Sequence, residues 1–195
     1  MFRVPLLVAI TLAIAFAGGI VSTLKLLEAT AGFGSIRLGA WQAFPDAQTS
    51  AADPYARAHR AKGGRLLYGS AEGLVFQADE DDDGNRLDAA CTYVMAGQTP
   101  IARAWTLYIA RPDGGAGLAA DGRPNGLNSF IVARKADSTF EVTLSREAQA
   151  GNWLALPQAG PFRLVLTLLD TPTAGSSGLI DLAMPTLQKR ECAHG

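Results

Sequence analysis

From Val4 to Leu24 the chain runs for 21 residues without a charge, bracketed by Arg3 and Lys25. The run is rich in Leu, Ile, Val, Ala and Phe. At helical rise it spans ~31 Å, about one hydrocarbon core, and predicts a single transmembrane helix. Pro5 falls in the first turn, where a missing N–H costs little. Gly18 and Gly19 are common company in membrane spans. Beyond Lys25 the pattern changes. Ser35 to Trp41 alternates like one short strand, and Pro45 to Ala52 reads as loop. Asp53-Pro54 then opens a short helix, with Asp53 as N-cap and Pro54 at the first helical position. Tyr55, Ala58 and Ala61 give it one packed face, while Arg57, Arg60 and Lys62 are solvated. Gly63-Gly64 ends it.

The remainder alternates with the period of strands. Leu74, Phe76 and Ala78 share a face, as do Cys91, Tyr93 and Met95, and again Trp105, Leu107 and Ile109. Phe140 to Leu144 is a half-buried strand. Phe162, Leu164, Leu166 and Leu168 line up against Arg163, Val165, Thr167 and Leu169. Turn clusters separate them: Asp83-Gly84-Asn85, Pro112-Asp113-Gly114, Asp121 to Gly126, and Gly175 to Gly178. Many short strands with such punctuation predict a mainly β domain, a sandwich, jelly roll or barrel. The organisation expected is an anchor over 1–27, a connector with a short strand over 28–52, and one β domain over 53–192.

Charge sets the topology and excludes one class of partner. Arg3 and the α-amino group lie on the short side of the apolar run. The positive-inside rule therefore places the N-terminus in the cytoplasm and exports the domain, a single-pass inner-membrane protein facing the periplasm. The alternative is a signal peptide cleaved near Ala17, after Ala15-Phe16-Ala17. Against it, the apolar run continues through Ile20, Val21 and Leu24. Without Arg3 and Lys25, the 17 basic residues become 15 against 18 acids. No long basic run exists, so a nucleic-acid partner is not expected.

Cys91 and Cys192 are the only cysteines. Their separation fits no metal site. In an exported domain an even pair reads as a structural disulfide, the alternative being two buried free thiols.

Candidate chemistry is sparse. Asp79-Glu80-Asp81-Asp82-Asp83-Gly84 matches the opening of a calcium loop, which makes Asp79, Asp81 and Asp83 candidate ligands. The twelfth position, where such a loop needs a bidentate Glu, is Ala90, and an acidic hairpin turn is the plainer reading. Gly115-Ala116-Gly117 imitates a dinucleotide fingerprint, but Asp121-Gly122-Arg123-Pro124 follows where a helix should start. His59 is the one imidazole away from the terminus. Glu72 stands at a strand start with Arg57, Arg60 and Arg65 not far along the chain. The two are candidate catalytic residues for a hydrolase or isomerase, set against a solvated His59 and a structural ion pair at Glu72. Trp41, Trp105 and Trp153 are candidates for a stacking platform or for core. No cofactor is expected.

Several segments taken together resemble a known family. They are Asp53-Pro54-Tyr55-Ala56-Arg57-Ala58, Ala71-Glu72-Gly73-Leu74, and the Asp83-Gly84, Leu87, Cys91, Tyr93 hairpin. Ala102-Arg103-Ala104-Trp105-Thr106-Leu107 and Asn128-Ser129 follow. Gly151-Asn152-Trp153-Leu154, Pro157, Gly160-Pro161-Phe162-Arg163-Leu164 and Cys192 complete the set. The chain looks like domain-of-unknown-function family 1214 in its short, singly anchored, proteobacterial form, over about residues 50 to 192. Where the family usually reads Asn-Trp-Leu-Pro, this chain has Ala155. Where it often has paired aromatics, Ala104 precedes Trp105. The resemblance implies a jelly-roll-like β-sandwich and a frequent companion, family 1254. It implies no agreed activity, so the expected function is a non-catalytic binding or assembly module in the envelope.

Overall fold

The computed structural model describes residues 3–29, 35–44, 52, 54, 57, 58, 61, 73–113, 122–172 and 182–192. The apolar run forms α1, Arg3–Ala29, 27 residues long. The stretch Arg3–Leu26 is long and apolar enough to cross a membrane, and none of it is buried against the rest of the chain.

Among the described residues the domain is mainly β, with two open sheets and no closed barrel. Among the described residues, ten strands follow α1. They are β1 Ile36–Leu38, β2 Trp41–Ala43, β3 Gly73–Ala78, β4 Cys91–Gly97, β5 Ala104–Ala110, β6 Gly126–Asn128, β7 Phe140–Ser145, β8 Trp153–Ala155, β9 Arg163–Leu169 and β10 Thr186–Cys192. A six-stranded sheet has the order β1-β2-β3-β9-β5-β6, and a four-stranded sheet the order β10-β4-β7-β8.

Two parts of the chain differ from their periodicity. The stretch from Ser35 to Trp41 is a hairpin instead of one strand. Gly39, at φ 59°, turns the chain between β1 and β2, a conformation that glycine takes without strain. β1 and β2, from the stretch read as a connector, thus form one edge of the six-stranded sheet. The cluster read as a turn, Asp121 to Gly126, ends on the first residue of β6, which pairs with β5 from Tyr108↔Gly126 to Thr106↔Asn128. In the short helix, positions 54, 57, 58 and 61 are helical, but Ala61 is exposed, so its packed face does not reach the last turn.

The core lies between the sheets. Trp41, Phe76, Leu107, Leu164, Leu166 and Leu168 come from the larger sheet, and Tyr93, Met95, Phe140, Val142, Leu144 and Leu187 from the smaller. Ring contacts cross the layer. Trp105 stacks on Phe140 at 5.1 Å and 26°, and Tyr93 meets Phe162 edge-on at 5.8 Å. β9 lies between β3 and β5 and is buried continuously from Leu164 to Leu168. A central strand covered on both faces loses the in–out alternation of an edge strand. At Gly73 a side chain is excluded by close approach. A Cβ there would lie 2.5 Å from the Leu168 carbonyl oxygen.

Candidate functional site

Three groups of motif residues come together, and each serves the backbone. The first is the acidic hairpin between β3 and β4. Asp79 sits one residue past the Ala78↔Leu164 pair, across from Arg163. The guanidinium donates from Nε to Oδ1 at 2.7 Å and from a terminal nitrogen to Oδ2 at 2.6 Å. Such a bidentate fork fixes orientation as well as charge. Glu80 pairs with Arg37 of β1 at 3.3 Å. Asp81, 2 % exposed, accepts the backbone N–H groups of Asp83 and Asn85 at 3.1 and 2.8 Å, and both its oxygens accept from the Asn85 amide. This is the Asx-turn chemistry by which Asp stabilises a tight loop.

Asp82 makes the longest reach. Its Oδ1 accepts the Ala40 N–H at 3.1 Å and its Oδ2 accepts the Leu187 N–H at 2.7 Å. Its own N–H donates to the Leu187 carbonyl at 2.9 Å. One carboxylate therefore ties the β1–β2 turn, at the edge of the larger sheet, to β10, at the edge of the smaller. The candidate calcium ligands lie in this hairpin. Asp79 and Asp81 turn to separate protein donors, and among the described residues no group of three or more could hold a metal ion. Asp83 lies in the same turn and is exposed.

The second group is Asn152-Trp153-Leu154, after the left-handed Gly151 (φ 84°). The Asn152 side chain behaves like a piece of backbone. Its Oδ1 accepts the Ala133 N–H at 2.7 Å, and its Nδ2 donates to the Ala133 and Glu141 carbonyls, each at 2.8 Å. Its main-chain carbonyl accepts from the Thr143 N–H at 2.9 Å. Trp153 is half-buried, and its Nε1 donates to the Ser145 carbonyl at 3.1 Å. Leu154 is fully buried. These contacts brace an unusual feature, the parallel pairing of β8 with β7 across a return of only a few residues. Parallel neighbours ordinarily need a crossover of a dozen residues or more. The Ala155 N–H donates to the Pro124 carbonyl at 2.8 Å.

The third group surrounds Trp105. Ser129 and Trp105 bond through the Ser129 N–H to the Trp105 carbonyl at 3.0 Å, and the Trp105 N–H to Ser129 Oγ at 3.3 Å. Arg103 and Asp170 pair at 3.7 Å with both side chains largely exposed, an arrangement that contributes little. Trp41 is fully buried and donates from Nε1 to the Pro185 carbonyl at 2.7 Å. Trp105 is 2 % exposed, and its Nε1 has no hydrogen-bond partner. Trp41 and Trp105 are therefore core residues, and the three tryptophans do not present a common platform.

Cys91 and Cys192 are joined by a disulfide. They face each other at the end of the β4–β10 pairing. Tyr93, two residues on, accepts the Asp88 N–H at its hydroxyl at 2.9 Å. Burial is the largest influence on this phenol and raises its pKa above the ordinary tyrosine value.

Asp53, Tyr55, His59 and Glu72 lie outside the described residues, as do the Gly115 to Ala120 loop and Arg60 and Arg65. Arg57 is described, and its Nε donates to the Ala52 carbonyl at 2.9 Å. Sequence periodicity missed the Asp82 tie, because its acceptor atoms meet amides 42 and 105 positions away in the chain. It also missed Ile101, Phe130 and Ile131, which are 82 %, 82 % and 62 % exposed. Two large apolar residues together beside the Asn128-Ser129 turn were the available signal.

A mainly β, two-sheet domain carried behind one apolar helix is the class of protein these features define. The chain belongs to the family described as Protein of unknown function (DUF1214), which matches residues 72–173, a little over half of the sequence. Its fold is similar to the crystal structure of the VPA0106 protein from Vibrio parahaemolyticus, with a TM-score of 0.58 and 20% sequence identity over 70% of this chain. The chain spans 35% of that protein, about a third of its length. A crystal structure of an uncharacterized protein from Burkholderia cenocepacia matches with a TM-score of 0.41 at 15% identity, covering 89% of this chain and 41% of that one. No curated protein matches the sequence.

Proposed function

We propose that this chain is a binding or assembly module of the envelope, held at the inner membrane by α1 with its β domain in the periplasm. The observation that carries the reading is how its motif residues are used. Asp79, Asp81, Asp82 and Asn152 are committed to arginine, amide and carbonyl groups of the chain itself. Residues spent on holding strands together build a rigid surface. A reacting centre needs an acid, base or nucleophile left able to meet a substrate. The disulfide behind an apolar helix supports an oxidising compartment.

A family 1254 protein is the partner proposed, on the strength of the companion relationship that the family resemblance implies. The test is co-expression with such a protein, detergent solubilisation of membranes and gel filtration. Co-elution of the two supports the assembly. Separate elution, together with loss of the cellular phenotype in Glu72→Gln and His59→Ala variants that still fold, overturns it in favour of an enzyme.

A further inference from the structure

We infer that one end of the β domain is a second membrane contact, in which Ile101, Phe130 and Ile131 enter the lipid interface beside the span. The inference rests on α1 being the anchor proposed above. Outside α1, the exposed large apolar residues among the described ones are Ile101, Tyr108, Phe130 and Ile131. Strand register places three of these four together. In the six-stranded sheet, Gly73, Leu169 and Ala104 are aligned at one end. Ile101 lies just before that start of β5, where its carbonyl accepts the Thr171 hydroxyl at 2.7 Å. Ser129 pairs with Trp105, so the chain leaves β6 at the same end, and Phe130 and Ile131 follow immediately.

β1 starts level with Phe76, midway along β3, with its first residue on the side of this end. β1 is antiparallel to β2, and β2 to β3, so β1 runs in the direction of β3, away from the Gly73 end. Ile36 follows Leu26, the last of the span, by only ten positions. Fully extended, ten residues reach at most ~33–36 Å. β1 is thus kept within that reach of the bilayer by the covalent chain.

The apolar residues are held in place. Asn128 Oδ1 accepts the Phe130 and Ile131 N–H groups at 2.9 and 3.2 Å, while Val132 turns inward. A turn fixed by its own side chain presents both residues outward at little further ordering cost. Aromatic and aliphatic side chains gain by entering the headgroup–acyl boundary. The exposed charges beside Ile101, Arg103 and Asp170, pair with each other and add no net repulsion. β1 and β6 are the opposite edges of a six-stranded sheet, five strand spacings or ~24 Å apart. A tether at one edge and a lipid contact at the other would fix the orientation of the domain, which a single tether does not.

The test uses the full chain in vesicles of phosphatidylcholine and phosphatidylglycerol with brominated acyl chains, which quench nearby tryptophan. Phe130→Trp should lose its added emission relative to unbrominated vesicles. Asp83→Trp, in the turn beyond the other end of β3, should keep its emission. Equal emission from both variants in brominated vesicles overturns the proposal, and that is the result expected if these residues instead meet a second copy or another protein. An alkaline wash separates the two readings. Release of the wild-type chain overturns the anchor itself, whereas retention without quenching of Phe130→Trp overturns only the second contact.

Discussion

Asn152 shows how a single amide replaces a stretch of ladder. It fills one acceptor and two donor positions against Ala133 and Glu141, and each such bond is worth ~0.5–1.5 kcal/mol net. Asn152→Ala should therefore cost about 1.5–4.5 kcal/mol in denaturant-induced unfolding. Asn152→Asp should cost more, because a carboxylate would face two carbonyl oxygens. An aspartate variant as stable as wild type would show that the amide bonds contribute nothing. Tyr93 yields a pH prediction. Burial raises its folded pKa, so above the ordinary phenol value of about 10 the unfolded chain loses this proton first. In that window the folded state binds more protons, and stability falls as pH rises through the folded pKa. Below pH ~10 the contribution is fully present. Thermal unfolding followed across the alkaline range should show a shallower decline in Tyr93→Phe than in wild type. Equal slopes would mean that this phenol ionises freely in the fold.

Single elements depend on ties from outside their own sequence. β10 is an edge strand, and Asp82 holds it to the β1–β2 turn. Asp82→Ala should destabilise the domain by about 1–2 kcal/mol, the side chain being exposed. Asp82→Asn should not rescue it, since the amide would point N–H groups at one of the two backbone donors. Chemical denaturation of the three proteins decides, and a stable asparagine variant would deny the tie. The short return into β8 depends on Trp153, half-buried and bonded to Ser145. Trp153→Ala should lower the melting temperature by several degrees, with a loss below the ~3–5 kcal/mol typical of a fully buried aromatic. An unchanged midpoint would make Trp153 a surface residue available to a ligand. At this scale much was legible. The faces carrying Phe76, Tyr93 and Leu107 follow from period two, because each strand has one face on the core. The β1–β2 hairpin was not legible, since one glycine inside an alternating run does not disclose a reversal. β6 is three residues long and half-buried, too short to show a period. The pairing partners of Asp82 and Asn152 arise from tertiary placement, to which local pattern is blind.

In the molecule as a whole, the disulfide closes a sequence separation of 101 residues. For a loop of that size the chain-entropy estimate is about 3–5 kcal/mol. Replacing both cysteines by alanine should lower stability on that order in urea unfolding, and reductant should do the same to wild type but leave the double variant unmoved. A variant as stable as the oxidised protein would reduce the bond to ornament. Topology is checked separately. A reporter active only in the cytoplasm, fused after Gly195, should be silent, and strong activity would invert the orientation proposed.

The position of β9 sets an order of events. The larger sheet is built around β9, a strand late in the chain, with β3 and β5 waiting on either side of it. A chain threaded outward from its N-terminus exposes the main-chain edges of both before the strand that joins them has emerged. Bare edges of this kind recruit other strands. In the exported topology proposed above, the nascent chain would pass through a sticky interval, ended when Arg163 to Leu169 slides between its neighbours and sealed after Cys192 arrives. A cell making much of this protein would need a holding chaperone on the receiving side of the membrane. A version ending before Arg163 should persist as a protease-sensitive, chaperone-bound species, detectable by pulse-chase.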